Sequence, residues 1–385
     1  MMEYKKLGNI CNIVSGGTPS RSKSQYWDNG NIPWIKIRDI KSKYIEDSEE
    51  FITIEGLNNS SAKLLTKGTV LYTIFATLGE VGILKIDACA NQAIAGLTVK
   101  DETKILPEYL YYYLKSKKNI VNKLGRGVAQ NNINLSMLKE FEIEVIDIVK
   151  QNNIIKTLNY VDDIIKFKSL ELKQLDELVK ARFVELFGDP ATNEYNWPML
   201  NLENVSSIIT YGLTVRPTYV NKGIDLISAR ELHKGFIEYE VAPKISFNDF
   251  QSLSDKGKPL KNDILFSKTG SIGHCALVDT DKMFAITQNA ARLGLIIEKV
   301  NPVWLLYYLR MNYIQDWCKR HAKGNAVKDL QLKDIKAIPL FECPLELQNQ
   351  FADFVKEVDK SRLEVQKSLK KTQELFDSLM QKYFG

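Results

Sequence analysis

The 385-residue chain is poor in the residues and motifs that enzymes of several classes require. It has three histidines, His233, His274 and His321, too dispersed for a metal cluster, and no H-E-x-x-H. Its five cysteines (Cys11, Cys89, Cys275, Cys318 and Cys343) form no C-x-x-C pair, a pattern that fits a reduced cytosolic protein. It has no G-x-G-x-x-G for a dinucleotide and no G-x-x-x-x-G-K-[ST] for cradling phosphates. No Pro-Pro occurs, so the Asn/Asp/Ser-Pro-Pro-aromatic loop with which amino-methyltransferases hold a flipped base is missing. No run reaches the 18 apolar residues of a membrane span, and the Met1–Gly8 segment lacks the apolar stretch of a signal peptide. Asp162-Asp163 could be a paired-carboxylate site, but they sit on a heptad-patterned helix, where a solvated face is the simpler reading. No catalytic constellation and no metal site emerge.

What the chain does contain, it contains twice. Residues 1–188 and 198–385 follow one plan, at an offset drifting from about 192 to 197 positions. Pro33–Ile40 answers Asp225–Leu232, Thr77-Leu78-Gly79 answers Ser271-Ile272-Gly273, and Pro107–Leu114 answers Pro302–Leu309. Both copies end in Phe-Gly, at Phe187-Gly188 and Phe384-Gly385. A unit this long is a duplicated domain with its own core, not a solenoid repeat.

Each copy joins two kinds of segment. Residues 151–187 lack proline and glycine and carry a 3,4 hydrophobic seam from Ile154 to Leu186 with eight of ten positions apolar; Phe351 to Tyr383 repeats it, again with eight of ten. Such seams predict two coiled-coil helices of roughly 55 Å at 1.5 Å per residue. Gly188-Asp189-Pro190 stops the first one. If a pseudo-two-fold relates the copies, the helices run side by side and antiparallel; packing of each helix onto its own domain is the alternative. The preceding blocks alternate β-rich runs with Gly/Asn/Asp turns. Strands are expected at 69–74, 93–99 and 141–146 in the first, and at 263–267, 291–297 and 335–340 in the second. Proline-initiated helices are expected at 107–115 and 302–312. The boundaries are 1–148 and 190–345 for two mixed α/β domains, and 149–189 and 346–385 for the helices. The aromatic stripes of 107–115 and 302–312 read as core.

The net charge of +5 is unevenly placed. Residues 149–189 and 346–385 each hold seven basic and seven acidic residues, so all the excess lies in the globular blocks. Lys104–Lys139 has seven basic residues against one acid, and Arg310–Lys336 seven against three. A one-sided basic patch in each copy is the footprint of a polyanion partner, although a solvated lysine-rich face gives the same count.

The order of segments and their motifs resemble the specificity subunit of type I restriction-modification systems. The first block carries Ser15-Gly16-Gly17-Thr18-Pro19-Ser20, then Tyr26–Trp34, Asp39-Ile40, Thr77–Gly82, Asn91-Gln92-Ala93-Ile94 and Gln130-Asn131-Asn132-Ile133. Residues 347–385, with a Leu-Gln-x-Gln start and Phe-Gly end, resemble its C-terminal helical region. The second block departs: Thr210–Thr214 replaces Ser-Gly-Gly-Thr-Pro, and Thr287-Gln288-Asn289 replaces Asn-Gln. The resemblance implies two target-recognition domains, reading two different parts of a split, asymmetric double-stranded DNA site. It implies a non-catalytic chain that binds no cofactor itself. Two methyltransferase subunits, using S-adenosylmethionine, would flank it, and a nuclease/translocase subunit, using ATP and Mg2+, would join for cleavage. The setting would be the cytoplasm of a bacterium or archaeon, at the nucleoid.

Phosphate contacts then fall to Lys115, Lys117, Lys118, Lys123 and Arg126 in the first block, and to Lys319, Arg320, Lys323 and Lys328 in the second. Base reading needs side chains with paired donors and acceptors: Arg21, Arg38, Gln130, Asn131 and Asn132 in the first, and Arg216, Arg230, Gln288, Asn289 and Arg292 in the second. Thr18, Ser20, Lys36, Thr77, Asn91, Gln92, Thr214, Lys268, Thr269, Ser271 and Asn325 complete the expected DNA-facing set. Two other readings stay open: a stand-alone methyltransferase or nuclease, and a coiled-coil scaffold that binds only protein.

Overall fold

The computed structural model describes residues 3–125 and 132–385, with the side chains of 123–125 outside the description. The chain divides into two compact units, Met1–Ser169 with Lys367–Gly385, and Leu170–Gln366. Both long helices are continuous, Ile148–Phe187 and Leu345–Phe384, 40 residues each, and each contributes one half to each unit. Gly188 ends the first as expected, with φ +77° and its N–H bonded to the Val184 carbonyl at 2.8 Å. No helix among the described residues is long and apolar enough to cross a membrane.

In the first unit, a five-stranded sheet has the order Cys11–Ser15, Ile94–Val99, Val70–Thr73, Val81–Leu84, Tyr44–Ile45. Its pairs are antiparallel except the last, which is parallel. A three-stranded sheet has the order Phe51–Ile52, Ile32–Ile35, Cys89–Ala90, its strands interleaved along the chain with those of the first, and Tyr4–Lys6 pairs with Glu142–Glu144. The central strands Val70–Thr73 and Val81–Leu84 are buried throughout. The helix Pro107–Ser116 starts on its proline and buries all its residues from Tyr109 to Leu114. These tyrosines are core, as their helical spacing predicts.

The second unit repeats this plan. Ser206–Tyr211, Ala290–Leu295, Ile264–Ser267 and Cys275–Leu277 form one antiparallel sheet. Tyr219–Val220, Lys244–Ile245, Ile224–Ile227 and Phe284–Ile286 form another, and Met199–Asn201 pairs with Pro339–Phe341. The helix Pro302–Arg310 is capped by Asn301, whose side chain accepts from the Val303 and Trp304 N–H groups. One expectation is corrected: 335–340 is not one strand. Its start belongs to the helix Leu332–Lys336, and pairing begins only at Pro339. A short apolar run does not distinguish a buried helix end from a strand.

Each unit packs halves of both long helices against its own block and against each other. In the first, Ile155, Leu158 and Val161 share a core with Phe376, Met380 and Phe384, and Tyr109 meets Phe384 at 5.2 Å between ring centroids. In the second, Phe183 and Phe187 meet Phe351 at 5.3 and 5.9 Å, while Asp176 pairs with Arg362 at 2.8 Å. Rising numbers in one helix meet falling numbers in the other, so the halves are antiparallel within each unit. A buried glutamine locks each helix start to its block. Gln151 accepts the Leu106 N–H and donates to the Lys104 and Ile146 carbonyls; Gln348 accepts the Asn301 N–H and donates to the Cys343 carbonyl.

Candidate nucleic-acid interface

Backbone hydrogen bonds gather five separate stretches of the first unit at one place. Gly17 N–H donates to the Ala90 carbonyl at 2.8 Å, Asn91 to Ile35 at 3.0 Å, Ile74 to Ala93 at 2.8 Å, and Ile133 to Ile74 at 3.0 Å. The second unit has the same frame: Leu213 to Ile286 at 2.8 Å, Thr287 to Ile227 at 2.9 Å, Lys268 to Asn289 at 3.0 Å, Leu330 to Lys268 at 2.7 Å. The turn after the central strand is also built twice. The Thr73 hydroxyl donates to the Thr77 carbonyl and accepts the Glu80 N–H; the Ser267 hydroxyl donates to the Ser271 carbonyl and accepts the His274 N–H. Both turns enter the left-handed region twice, at Ala76 (φ +60°) and Gly79 (φ +83°) and at Gly270 (φ +81°) and Gly273 (φ +93°). The hydroxyl and the glycine recur because the turn's unpaired backbone groups need them, whatever the exposed residues do.

On this frame the first unit carries Thr18, whose hydroxyl donates to the Gln92 side-chain oxygen, along with exposed Ser20, Thr77 and Gln92. Asn91 is half-buried and its side chain accepts the Ala93 N–H at 3.1 Å; Asn132 pairs with Phe75 in an isolated bridge. Arg21, Lys36 and Arg38 converge on one carboxylate, Glu50. Burial pushes Glu50 up, but hydrogen bonds from Lys36 and Arg21 outweigh this and hold it below its ordinary value. Arg126, Gln130 and Asn131, and the side chain of Lys123, lie outside the described residues.

The expected phosphate lysines divide. Lys118 is half-exposed and pairs with Glu80 at 2.6 Å. Lys117 donates to the Phe384 carbonyl at 2.7 Å, holding the end of the second long helix, and burial lowers its pKa. Lys115 faces Asp162 at 3.6 Å and the Phe376 ring at 5.0 Å. Lys115 and Lys117 therefore secure the helices rather than present free ammonium groups, a correction to their expected role.

In the second unit Thr214, Arg216, Arg230, Ser271 and Gln288 are exposed, and Asn289 is half-buried with its carbonyl in the frame. Lys268 and Thr269 both bond Asp329 at 2.5 Å, on the loop that presents exposed Lys323, Asn325 and Lys328. Hydrogen bonds from Lys268 and Thr269 overcome the upward push of burial on Asp329 and hold its carboxyl low. Lys319 and Arg320 are exposed at the C-terminal end of the helix Asn312–His321, Lys319 beside Asp316 at 3.2 Å. Arg292 corrects an expectation: it is 6% exposed, bonded to Asp263 at 2.6 Å and to the Asp255 carbonyl at 2.8 Å. It supports the sheet from inside and offers no edge to a partner.

Three residues of this surface were not foreseen: Glu50, Asp329 and Phe75. Phe75 is 42% exposed on the rigid turn beside Ala76. Asp329 carried no sequence signal, since counting charge treats an acid in a basic region as dilution, and Glu50 closes the acidic stretch Glu46-Asp47-Ser48-Glu49-Glu50, which a search for basic patches passes over. Phe75 had a faint one, as an aromatic residue where the second copy has Thr269. Among the described residues no group of three or more His, Cys, Asp or Glu could hold a metal ion. The arrangement of the described residues is suited to binding by shape and charge.

The family described as "Type I restriction modification DNA specificity domain" matches residues 1–177 and 215–375. The type I restriction enzyme MjaIX specificity subunit of Methanocaldococcus jannaschii is 26% identical over 99% of this chain and 92% of its own length. The EcoR124I/EcoR124II specificity subunit of Escherichia coli is 30% identical over 42% of this chain and 41% of its own. Among solved structures, the type I S subunit from M. genitalium superposes with a TM-score of 0.55 at 16% identity, covering 100% of this chain and 96% of that one. A chain solved in work on complex assembly and conformational transition of the type I R-M system gives a TM-score of 0.62 at 16% identity, covering 100% and 97%. These two likenesses concern the fold.

Proposed function

Since the chain belongs to the family of type I restriction-modification DNA specificity proteins, we propose that it is the non-catalytic specificity subunit of such a system, reading a bipartite, asymmetric double-stranded DNA target. The observation that carries this is the loop frame built twice in the same hydrogen bonds beneath different exposed side chains. A shared frame sets one docking geometry, and the different side chains it presents select different bases.

Cations such as Arg320, Lys323 and Lys328 supply phosphate contacts, which give affinity without sequence information. Arginine, asparagine and glutamine on the frame read base edges, each good pair discriminating by about 1–3 kcal/mol. Arg38 and Asn132 in the first unit, and Arg216, Arg230 and Gln288 in the second, have the chemistry for this. The chain holds and positions; adenine-N6 methylation is the work of partner methyltransferase subunits, two in number, that flip the base and carry S-adenosylmethionine. A nuclease/translocase partner, with ATP and Mg2+, completes the restriction assembly. The length of the two continuous helices sets the number of unread base pairs between half-sites.

The direct test is to sequence modified adenines in a genome expressing this chain with its methyltransferase partner. A two-part asymmetric motif is expected. Methylation by the chain alone would reveal an enzyme, and absence of DNA binding in every mixture would leave only a protein scaffold. Inserting about four residues, roughly one turn, into both long helices should lengthen the spacer and leave both half-sites as they were.

A further inference from the structure

Glu50 is not among the groups that face DNA by residue type, yet three such groups depend on it. Its carboxylate bonds the Arg21 guanidinium and the Lys36 ammonium, and lies 3.6 Å from Arg38 Nη2. Glu49 holds the other side of Arg38, at 2.8 Å from Nε. Arg21 is also fixed from one face, its guanidinium carbon 3.5 Å from the Trp27 ring centroid and 5.0 Å from that of Trp34. The two tryptophans meet edge-on at 5.0 Å, and their indole N–H groups donate to the Ser20 and Gly17 carbonyls. Arg21 and Arg38 keep 54% and 61% of their side-chain surface open to solvent, so each has a free edge beyond its anchor.

Resting on the specificity-subunit reading, we propose that Glu50 is a positioning residue for base recognition by the first unit: it fixes Arg21 and Arg38 in orientation and holds back their attraction for phosphate. Three cations gathered from two segments, Arg21 on one and Lys36 with Arg38 on the other, repel one another and, uncompensated, would scatter. A carboxylate among them sets their planes, and an arginine whose plane is set makes a bidentate contact to guanine more selectively than a mobile one. The same negative charge opposes non-specific binding, because it cancels a cation that would otherwise displace a counterion from DNA. The second unit uses Asp329 on Lys268 and Thr269 in a similar way, with one cation instead of three.

The test uses the full chain in complex with its methyltransferase partner, on a duplex bearing the mapped motif and on a shuffled duplex, from about 50 to 200 mM salt. With Glu50→Gln, binding to the shuffled duplex should tighten about fivefold near 0.15 M salt, with the log–log salt slope steeper by about 0.9, the value of one added phosphate contact. The ratio of specific to non-specific affinity should fall, and the methylated-adenine map should loosen in one half-site only. Glu50→Asp should keep the wild-type salt slope. Arg21→Ala should lose discrimination in that same half-site without tightening the shuffled duplex. A Glu50→Gln complex with unchanged slope, ratio and map would overturn the proposal, since loss of a merely structural contact moves none of them in this direction. A wild-type complex with no preference for any duplex would instead defeat the specificity-subunit reading, and this inference with it.

Discussion

The two units differ most where they are most alike. At one sheet position the first unit has Gly96, packed under Leu65, and the second has Arg292. The strand facing it begins after Thr69 in the first unit, bonded to Thr98 at 2.9 Å, and after Asp263 in the second, bonded to Arg292 at 2.6 Å. One copy fills the space with methyl groups and a hydroxyl pair, the other with a buried ion pair. Backbone register survives this exchange because the main-chain ladder is satisfied in both cases, so side-chain chemistry can drift as long as each buried polar group keeps a partner. The same freedom, exercised on the exposed loops, would let two copies of one domain acquire different targets.

The largest expected effect breaks that comparison on one side. Asp263→Ala strands the Arg292 guanidinium in the interior and should destabilise the second unit by about 3–5 kcal/mol. Urea unfolding followed by hydrogen exchange should show the loss in the Ala290–Leu295 sheet and little change in the first unit. A global loss below about 1 kcal/mol would mean the pair is more hydrated than its burial implies. Next, Gln151→Ala and Gln348→Ala each leave a part-buried backbone N–H without its side-chain acceptor and should cost about 1–3 kcal/mol apiece. Near-equal costs in the two units would show that these helix anchors are equivalent; a large disparity in thermal melts would break the equivalence.

Among the described residues, Lys43 is the lysine that the first unit buries, whereas the second unit's buried cation is Arg292. Lys43 is 7% exposed and donates to the Asn159 side-chain oxygen at 2.6 Å. Burial pushes its ammonium down to about 8 from an ordinary value of 10.5, against the opposing pull of Glu108 and Asp162. A lysine with its folded pKa below its unfolded one penalises folding while protonated. Its contribution to stability therefore rises as pH climbs from about 8 to 10.5 and is flat below. Denaturation across that window should show the first unit gaining on a Lys43→Met variant taken as reference, with no such gain traceable to Arg292, which stays charged. A flat difference would place the Lys43 titration elsewhere. The smallest effect concerns single surface cations. Arg320→Ala should flatten the DNA-binding salt slope by about 0.9, and Lys118→Ala by less, because Glu80 already compensates Lys118.

Much of the fold was legible. The helices 148–187 and 345–384 follow from a sustained heptad period, and the helices at Pro107 and Pro302 from a proline start and helically spaced aromatics. The alternation of strands with glycine-bearing turns was legible, though not the hydroxyls of Thr73 and Ser267 that brace the turns at Gly79 and Gly273. The candidate surface was legible only as a list of types. Arg292 lay in an expected strand, yet nothing local showed that Asp263, 29 positions earlier, would draw it inward. Lys117 looked like part of a basic patch, but its partner, the Phe384 carbonyl, is 267 positions away.

The chain's own sequence determined the duplication, the two charge-balanced helices and the mixed α/β character of each block, because periodic burial and turn chemistry are decided among near neighbours along the backbone. Tertiary structure alone decided which half of each helix joins which unit, which cations stay exposed, and that Glu50 and Asp329 pair with the cations beside them. Those outcomes rest on ion pairs and hydrogen bonds that switch from made to absent within about an ångström. They join residues whose separation in sequence says nothing about their separation in space.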